Sequence, residues 1–387
     1  MKIVHVCISA PWDEKYAYQE NLLPRYHKLM GHDVTIIAPV FSKIGDYCGN
    51  RKTEGVSFLT DGTKLIRLKP QIDNKKILAH IPSVKGLKKT IINEHPDLLF
   101  LHDICCYNYS CIPSIKKLFP QMKVVIDNHG DFINSLHSPL TRFLHKVIYR
   151  YALVPGLLSS VECFYGVTPS RCKFLHEVYH IPKERIKLLV MGADDEKMML
   201  EKKDSLRKEV RNNFGIKDDD FLIVTGGKID KKKNIHVLAH AVNELHRDGV
   251  KLLIFGKINE EMQHLFAAEQ SPNIQTIGWV NSDKVYELFY AADLIVFPGL
   301  HSVLWEQAVA SKTPCAFSLM EGFEHVNVND NCILMTGKDS LYYEGMLKNV
   351  IDDSTLYKRL KANSENKATE QFYYSKIARQ VISDVNL

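Results

Sequence analysis

Short apolar runs alternate with amphipathic stretches along the first half of the chain. The runs Lys2–Ile8, Val34–Ala38, Leu65–Leu68, Asp97–Leu101, Lys123–Asp127, Phe164–Val167 and Ile186–Val190 read as strands. Gln19–Met30 and Ser83–Asn93 space their apolar residues as helices do. Strand and helix in regular succession predict parallel pairing, because a crossover helix returns the chain to the same sheet edge. The charge-rich stretch Ala193–Asp220 interrupts this rhythm, and its start reads as a linker leading into a helix. The pattern then restarts with strands at Phe221–Thr225, Lys251–Phe255, Ile274–Ile277, Leu294–Phe297 and Pro314–Phe317. Between them, Ile235, Leu238, Val242 and Leu245 share one helical face, as do Val285, Leu288, Phe289 and Ala292. A final helical region, Ser354–Val385, is broken near Tyr373–Tyr374. The expectation is an α/β protein of two Rossmann-like, doubly wound domains facing across a cleft. Residues 1–195 form the first, with 373–387 packing back on it, and 196–372 form the second. Ligands in such sheets bind beyond the carboxyl ends of the strands.

At 387 residues the chain exceeds what one core usually organises, which agrees with two domains. The formal net charge of +5 permits attraction to phosphates or an anionic bilayer without indicating nucleic-acid binding. No apolar stretch approaches a membrane span, and the opening MKIVHVCISAP reads as a buried strand rather than a signal peptide. The nine cysteines are odd in number and unevenly spaced, which fits reduced thiols in a cytoplasm. Cys105, Cys106 and Cys111 cluster but contain no C-x-x-C pair, so buried thiols describe them better than a metal site.

Candidate chemistry concentrates in two segments. The first, Thr225-Gly-Gly-Lys-Ile-Asp-Lys-Lys-Lys-Asn234, follows an apolar strand and leads into a helix. Gly227 there allows close backbone approach to a ligand, and Lys228 and Lys233 are placed to neutralise a diphosphate. A solvated basic loop is the plainer alternative. The segment is not a Walker A loop, since the spacing and the Ser/Thr after the lysine are missing. The second segment runs from Ala291 to Ala310 and contains His301, Ser302, Val303, Leu304 and Glu306. Ser302 is the expected N-cap. Glu306 is either a carboxylate favoured by the helix dipole or an acceptor for two ribose hydroxyls.

In this order and at these separations, the chain resembles the retaining GT-B glycosyltransferases of family four (glycosyl transferases group 1). KIVHVC…NLLPRYHKLMGHDVTIIAP is similar to that family's first strand, helix and second strand. His129 in VVIDNHGD, Gly166-Val-Thr-Pro-Ser170 and Val190-Met-Gly-Ala-Asp194 resemble later landmarks of its first domain. Gly227-Lys228 with Lys233 corresponds to its phosphate-binding pair, and Ala292–Glu306 followed by Ser311-Lys-Thr-Pro314 to the region of its Glu-x7-Glu motif. Three departures stand out. Pro298 replaces the first glutamate, so His301, Ser302 or Glu321 would substitute for it. Lys228 stands where arginine is commoner, giving a point charge instead of a bidentate fork. The loop Trp12–Tyr18 lacks the usual glycines.

The resemblance implies transfer of a sugar, with retention, from a nucleoside diphosphate sugar to a hydroxyl acceptor, lipid-linked or glycan, in cell-surface polysaccharide synthesis. It implies catalytic roles for Lys228, Lys233 and His129, and donor contacts at Gly227, Val280, His301, Ser302, Val303, Leu304, Glu306 and Glu321. Trp12 and Tyr18 would lie on the acceptor side. No D-x-D motif lies in the two candidate segments, so no divalent metal or other cofactor is expected. The basic stretch Lys64–Lys89 carries Lys64, Arg67, Lys69, Lys75, Lys76, Lys85, Lys88 and Lys89, and predicts peripheral attraction to an anionic inner membrane face. A nucleotide-sugar epimerase of the same fold and a non-catalytic partner subunit remain alternatives.

Overall fold

The computed structural model describes residues 1–42, 51–78 and 80–386. The chain divides into two compact units, Met1–Met191 with Ile377–Leu387, and Gly192–Lys376.

The first unit is built on an eight-stranded sheet. Its strands are β1 (Lys2–Val6), β2 (Asp33–Pro39), β3 (Gly55–Phe58), β4 (Lys64–Leu68), β5 (Leu98–Leu101), β6 (Lys123–Asn128), β7 (Cys163–Gly166) and β8 (Ile186–Leu188). The spatial order is β3-β4-β2-β1-β5-β6-β7-β8. Every pairing is parallel except β3 with β4. Central strands such as β5 are buried along their whole length, which explains their continuous apolar runs. β3 has all four residues exposed, so no burial pattern announces it. The order reverses on either side of β1, where β2 and β5 leave in opposite directions. This is the switch point at which α/β sheets open a crevice.

The second unit carries six parallel strands in the order β11-β10-β9-β12-β13-β14. They are β9 (Phe221–Gly226), β10 (Val250–Phe255), β11 (Ile274–Gly278), β12 (Leu294–Phe297), β13 (Cys315–Ser318) and β14 (Cys332–Met335). β14 is an edge strand that the sequence pattern does not reveal. Here the reversal falls between β9 and β12. Helix Ile235–Glu244 buries Ile235, Leu238 and Val242, the face its spacing predicts.

The start of the polar stretch follows the division between the two units at Met191 and Gly192, and it is held by hydrogen bonds: Ala193 donates to Phe372 O at 2.7 Å and accepts from Tyr374 N at 3.1 Å. One local expectation is corrected. Ser302 is not an N-cap: helix Leu304–Ala310 opens at Val303 without a side-chain cap, and Ser302 contributes only its carbonyl, to Trp305 N at 2.9 Å.

Candidate functional site

In the second unit, the ends of the adjacent strands β9 and β12 are stitched together by backbone and lysine. β9 ends in Gly226-Gly227, where Gly227 has φ +107° and donates its N–H to Phe255 O at 3.0 Å. A side chain at this φ is strained, and a Cβ would come within 2.9 Å of the Leu304 Cδ1. The chain then turns through Lys231–Lys233, with Asp230 Oδ1 accepting from Lys232 N at 3.0 Å. The loop after β12 lies against this turn. Leu300 N donates to Lys232 O at 3.2 Å, and a Cβ on Gly299 would collide with the Lys232–Lys233 backbone.

Lys233 completes the join, its Nζ donating to Leu300 O at 2.6 Å and to His301 O at 3.3 Å. Burial pulls this ammonium below the usual lysine range; Asp230 opposes the shift and Lys228 adds to it. Lys228, next to Gly227 in the chain, is exposed. The structure thus brings Gly227, Lys228, Lys233, His301 and Leu304 to one sheet end. Val280 lies half-buried after β11, and Glu321 is exposed in the turn after β13.

Glu306 lies beneath this join on helix Leu304–Ala310. It is fully buried, and its Oε1 accepts from His301 Nε2 at 2.8 Å and from His325 Nε2 at 2.9 Å. Burial alone would raise this carboxyl, but the two imidazoles outweigh it and bring it down to about 2. Oε2 is buried with no hydrogen-bond partner. One carboxylate oxygen of Glu306 is thus taken up by the two imidazoles and also orients His301, while the other has no partner among the described residues. The ligating atoms of His301, Glu306 and His325 lie within 4.8 Å of one another, the reach of one divalent cation. Their spacing is also that of a charge-assisted hydrogen-bonded trio. His325, from the turn Glu324–Val326, gives no sequence signal, being a lone histidine without motif or period.

In the first unit, the switch point holds a buried chain of imidazoles. His5 on β1 bonds His27 (3.0 Å) and His102 (3.0 Å). His27 Nε2 donates to Ala378 O at 3.2 Å, and His102 Nδ1 lies 3.1 Å from Asp127 Oδ2. Burial holds His5 well below its usual range and His27 at about 3, so both are neutral.

Asp127 also accepts from Asp103 N at 2.7 Å and Gln19 Nε2 at 3.2 Å. Burial would raise its carboxyl, but His129 and His102 hold it well below the carboxylate range. His129 sits just past β6, 3.4 Å from Asp127. Burial would lower it, but the Asp127 charge raises it to about 9, so His129 is an imidazolium at neutral pH.

Trp12 is buried at the start of its loop. Its ring is buried with Cys7, Ile36, Ala38 and Leu65, its Nε1 donates to Glu20 O at 3.2 Å, and the Arg67 guanidinium lies over it at 5.4 Å. Tyr18 is half exposed at the start of helix Gln19–Leu29 and keeps a free face.

Two parallel-sheet Rossmann-like units with ligand-type loops at their switch points define the GT-B class of fold. Residues 206–367, which lie in the second unit, match the family described as glycosyl transferases group 1. An uncharacterized glycosyltransferase of Methanocaldococcus jannaschii is 23% identical over 261 residues, which span 64% of each chain. Anabaena HepE in complex with UDP is similar in structure, with a TM-score of 0.72 at 13% identity and 100% of each chain covered. A glycosyltransferase from Rickettsia africae gives a TM-score of 0.70 at 14% identity, over 100% of this chain and 97% of that one.

Proposed function

We propose that the protein transfers a glycosyl group from a nucleoside diphosphate sugar to a hydroxyl acceptor, with retention of configuration. The observation that supports this best is the join at the ends of β9 and β12. There a glycine with positive φ, an exposed lysine and a loop-tethering lysine meet beside an uncapped helix start. Heterolysis of the anomeric bond leaves charge on the diphosphate, and preorganised donors lower that barrier. Lys228 supplies a mobile positive charge and Gly227 lets the backbone come close. Lys233 holds the His301 loop in place and has one N–H left for phosphate. Ser302, Val303 and Leu304 offer backbone amides, Val280 and Glu321 border the base and sugar, and Glu306 acts through His301. His129, as an imidazolium, donates to a sugar hydroxyl. The countercharge comes from these side chains, so the reaction as proposed uses no divalent metal.

The acceptor in this reading is lipid-linked or glycan, met at the inner face of the plasma membrane in polysaccharide synthesis, with Tyr18 on the acceptor side. The relative crystallised with UDP supports a uridine nucleotide as the first donor to try. A thermal-shift screen across nucleoside diphosphates and their sugars tests the reading, because a ligand of the folded state raises Tm. Product analysis with and without acceptor then separates transfer from epimerisation. If no such nucleotide shifts Tm and no sugar is released, the proposal is wrong.

A further inference from the structure

His301, Glu306 and His325 meet in the second unit in a geometry that hydrogen bonding leaves half used. Both Nε2 atoms aim at one carboxylate oxygen, Oε1, at 2.8 and 2.9 Å. The other oxygen, Oε2, and the second nitrogen of His325, Nδ1, are buried without a hydrogen-bond partner. A carboxylate accepts on both oxygens, so hydrogen bonding alone gives no reason to crowd two donors onto one. Three ligand atoms converging within 4.8 Å are what a shared cation would gather. Among the described residues this is the one group of His, Cys, Asp and Glu side chains that meets in this way.

The surroundings are dry and stiff. The side chains of His301 and His325 are 5% exposed and that of Glu306 is 0% exposed. A carboxylate so enclosed has to be paired or to coordinate a metal. With both imidazoles neutral the trio carries one buried negative charge, and a divalent cation reverses it. The rings are also held by apolar neighbours. His301 packs 4.7 Å from Phe323 and edge-on to Trp305 at 5.2 Å, while Lys233 bonds its carbonyl. His325 meets Phe372 edge-on at 6.1 Å, and Glu306 sits in the first turn of helix Leu304–Ala310. An apolar shell of this kind limits the access of solvent to a metal.

The donor set names the class of ion. Two imidazole nitrogens and one carboxylate suit zinc and its transition-metal neighbours. Magnesium, which accompanies phosphates, takes oxygen ligands and keeps several waters. We propose that His301 Nε2, His325 Nε2 and the Glu306 carboxylate hold one zinc-class divalent cation. The ion clamps the loop that carries His301 to the turn Glu324–Val326 and leaves its fourth position to water. It is separate from the phosphate contacts at Lys228 and Lys233, and the transfer proposed above makes no use of it.

The test uses the full chain without a polyhistidine tag, stripped by chelator and returned to zinc or cobalt(II), with no sugar nucleotide present. By elemental analysis the native chain takes up one zinc, its Tm rises with zinc, and cobalt(II) gives visible d–d absorption. His325→Gln weakens zinc binding by at least about a hundredfold and abolishes the rise in Tm. His240→Gln, at an exposed imidazole paired with Glu269, leaves both unchanged and controls for surface binding. Circular dichroism shows that each variant is folded, and the cobalt spectrum of the native chain decides the matter should His325→Gln fail to fold. The proposal is overturned if the stripped native chain takes up no zinc or shows no cobalt absorption. It is equally overturned if folded His325→Gln binds zinc as the native chain does, or if His240→Gln loses it instead. Zinc uptake without a rise in Tm, or a preference for magnesium, overturns it too.

Discussion

The Nζ of Lys233 lies 2.6 Å from the carbonyl oxygen of Leu300, joining the turn after β9 to the loop after β12. The ammonium therefore has a structural duty before any ligand arrives, whereas Lys228 is exposed. Substitution separates the two roles. Lys228→Ala weakens nucleoside diphosphate binding by about 1.5–3 kcal/mol and leaves Tm unchanged. Lys233→Ala lowers both affinity and Tm. Calorimetric titration and a thermal melt on each variant suffice, and equal Tm losses would contradict the assignment.

Glu306 is predicted to matter more for stability than for nucleotide contact. Its removal strands two imidazoles that now share one carboxylate oxygen, so Glu306→Ala costs about 3–5 kcal/mol of unfolding free energy. His325→Ala removes one bond and costs less, about 1.5–3 kcal/mol. Denaturant unfolding ranks the two. A Glu306→Ala protein as stable as the native one would show that the trio does not form.

Gly256 tests the packing behind the loop. It has φ +110°, and a Cβ there would run into the Gly227 carbonyl. Gly256→Ala therefore combines backbone strain with collision and loses more than about 3 kcal/mol. Tm and soluble yield report it, and a variant that melts like the native chain would refute the close approach.

The histidines of the first unit set a stability optimum in pH. His27 is held at about 3 against an unfolded value of about 6.5. Its unfolded form takes up protons first, so the stability it confers is complete above about pH 6.5 and is lost as pH falls toward 3. His129 is raised to about 9, so its contribution is complete below about pH 6.5 and is lost as pH rises through 9. Calorimetry across pH is expected to show a dome with its top near pH 6.5. His129→Gln flattens the alkaline limb, and an unchanged limb would mean that Asp127 does not charge this imidazole.

The parallel strands were legible because burial on both faces gives unbroken apolar runs, as in LLFL at Leu98–Leu101 and LIVF at Leu294–Phe297. β3 and β14 were not, since edge strands need no such run. The helix that runs from Pro139 into the π-helical turns of Leu144–Leu153 was also silent: Phe143, Val147 and Tyr151 put apolar residues on its outer face and blur the helical pattern. At the candidate site, glycines and lysines close in sequence pointed to the β9 turn, because that geometry is local. His325 and the imidazole chain from His27 to Asp127 arise from positions far apart in the chain, which no spacing rule connects.

The last residues of the chain belong to its first unit, where Ala378 accepts from His27 and Asp384 accepts from Tyr165 OH at 2.9 Å. During synthesis the ribosome makes the whole second unit before it supplies this piece. The first unit must therefore wait, incomplete and with the His27 proton unmatched, until residues 377–386 have been made. A stop codon at position 377 would leave the second unit whole and damage the unit that was made first.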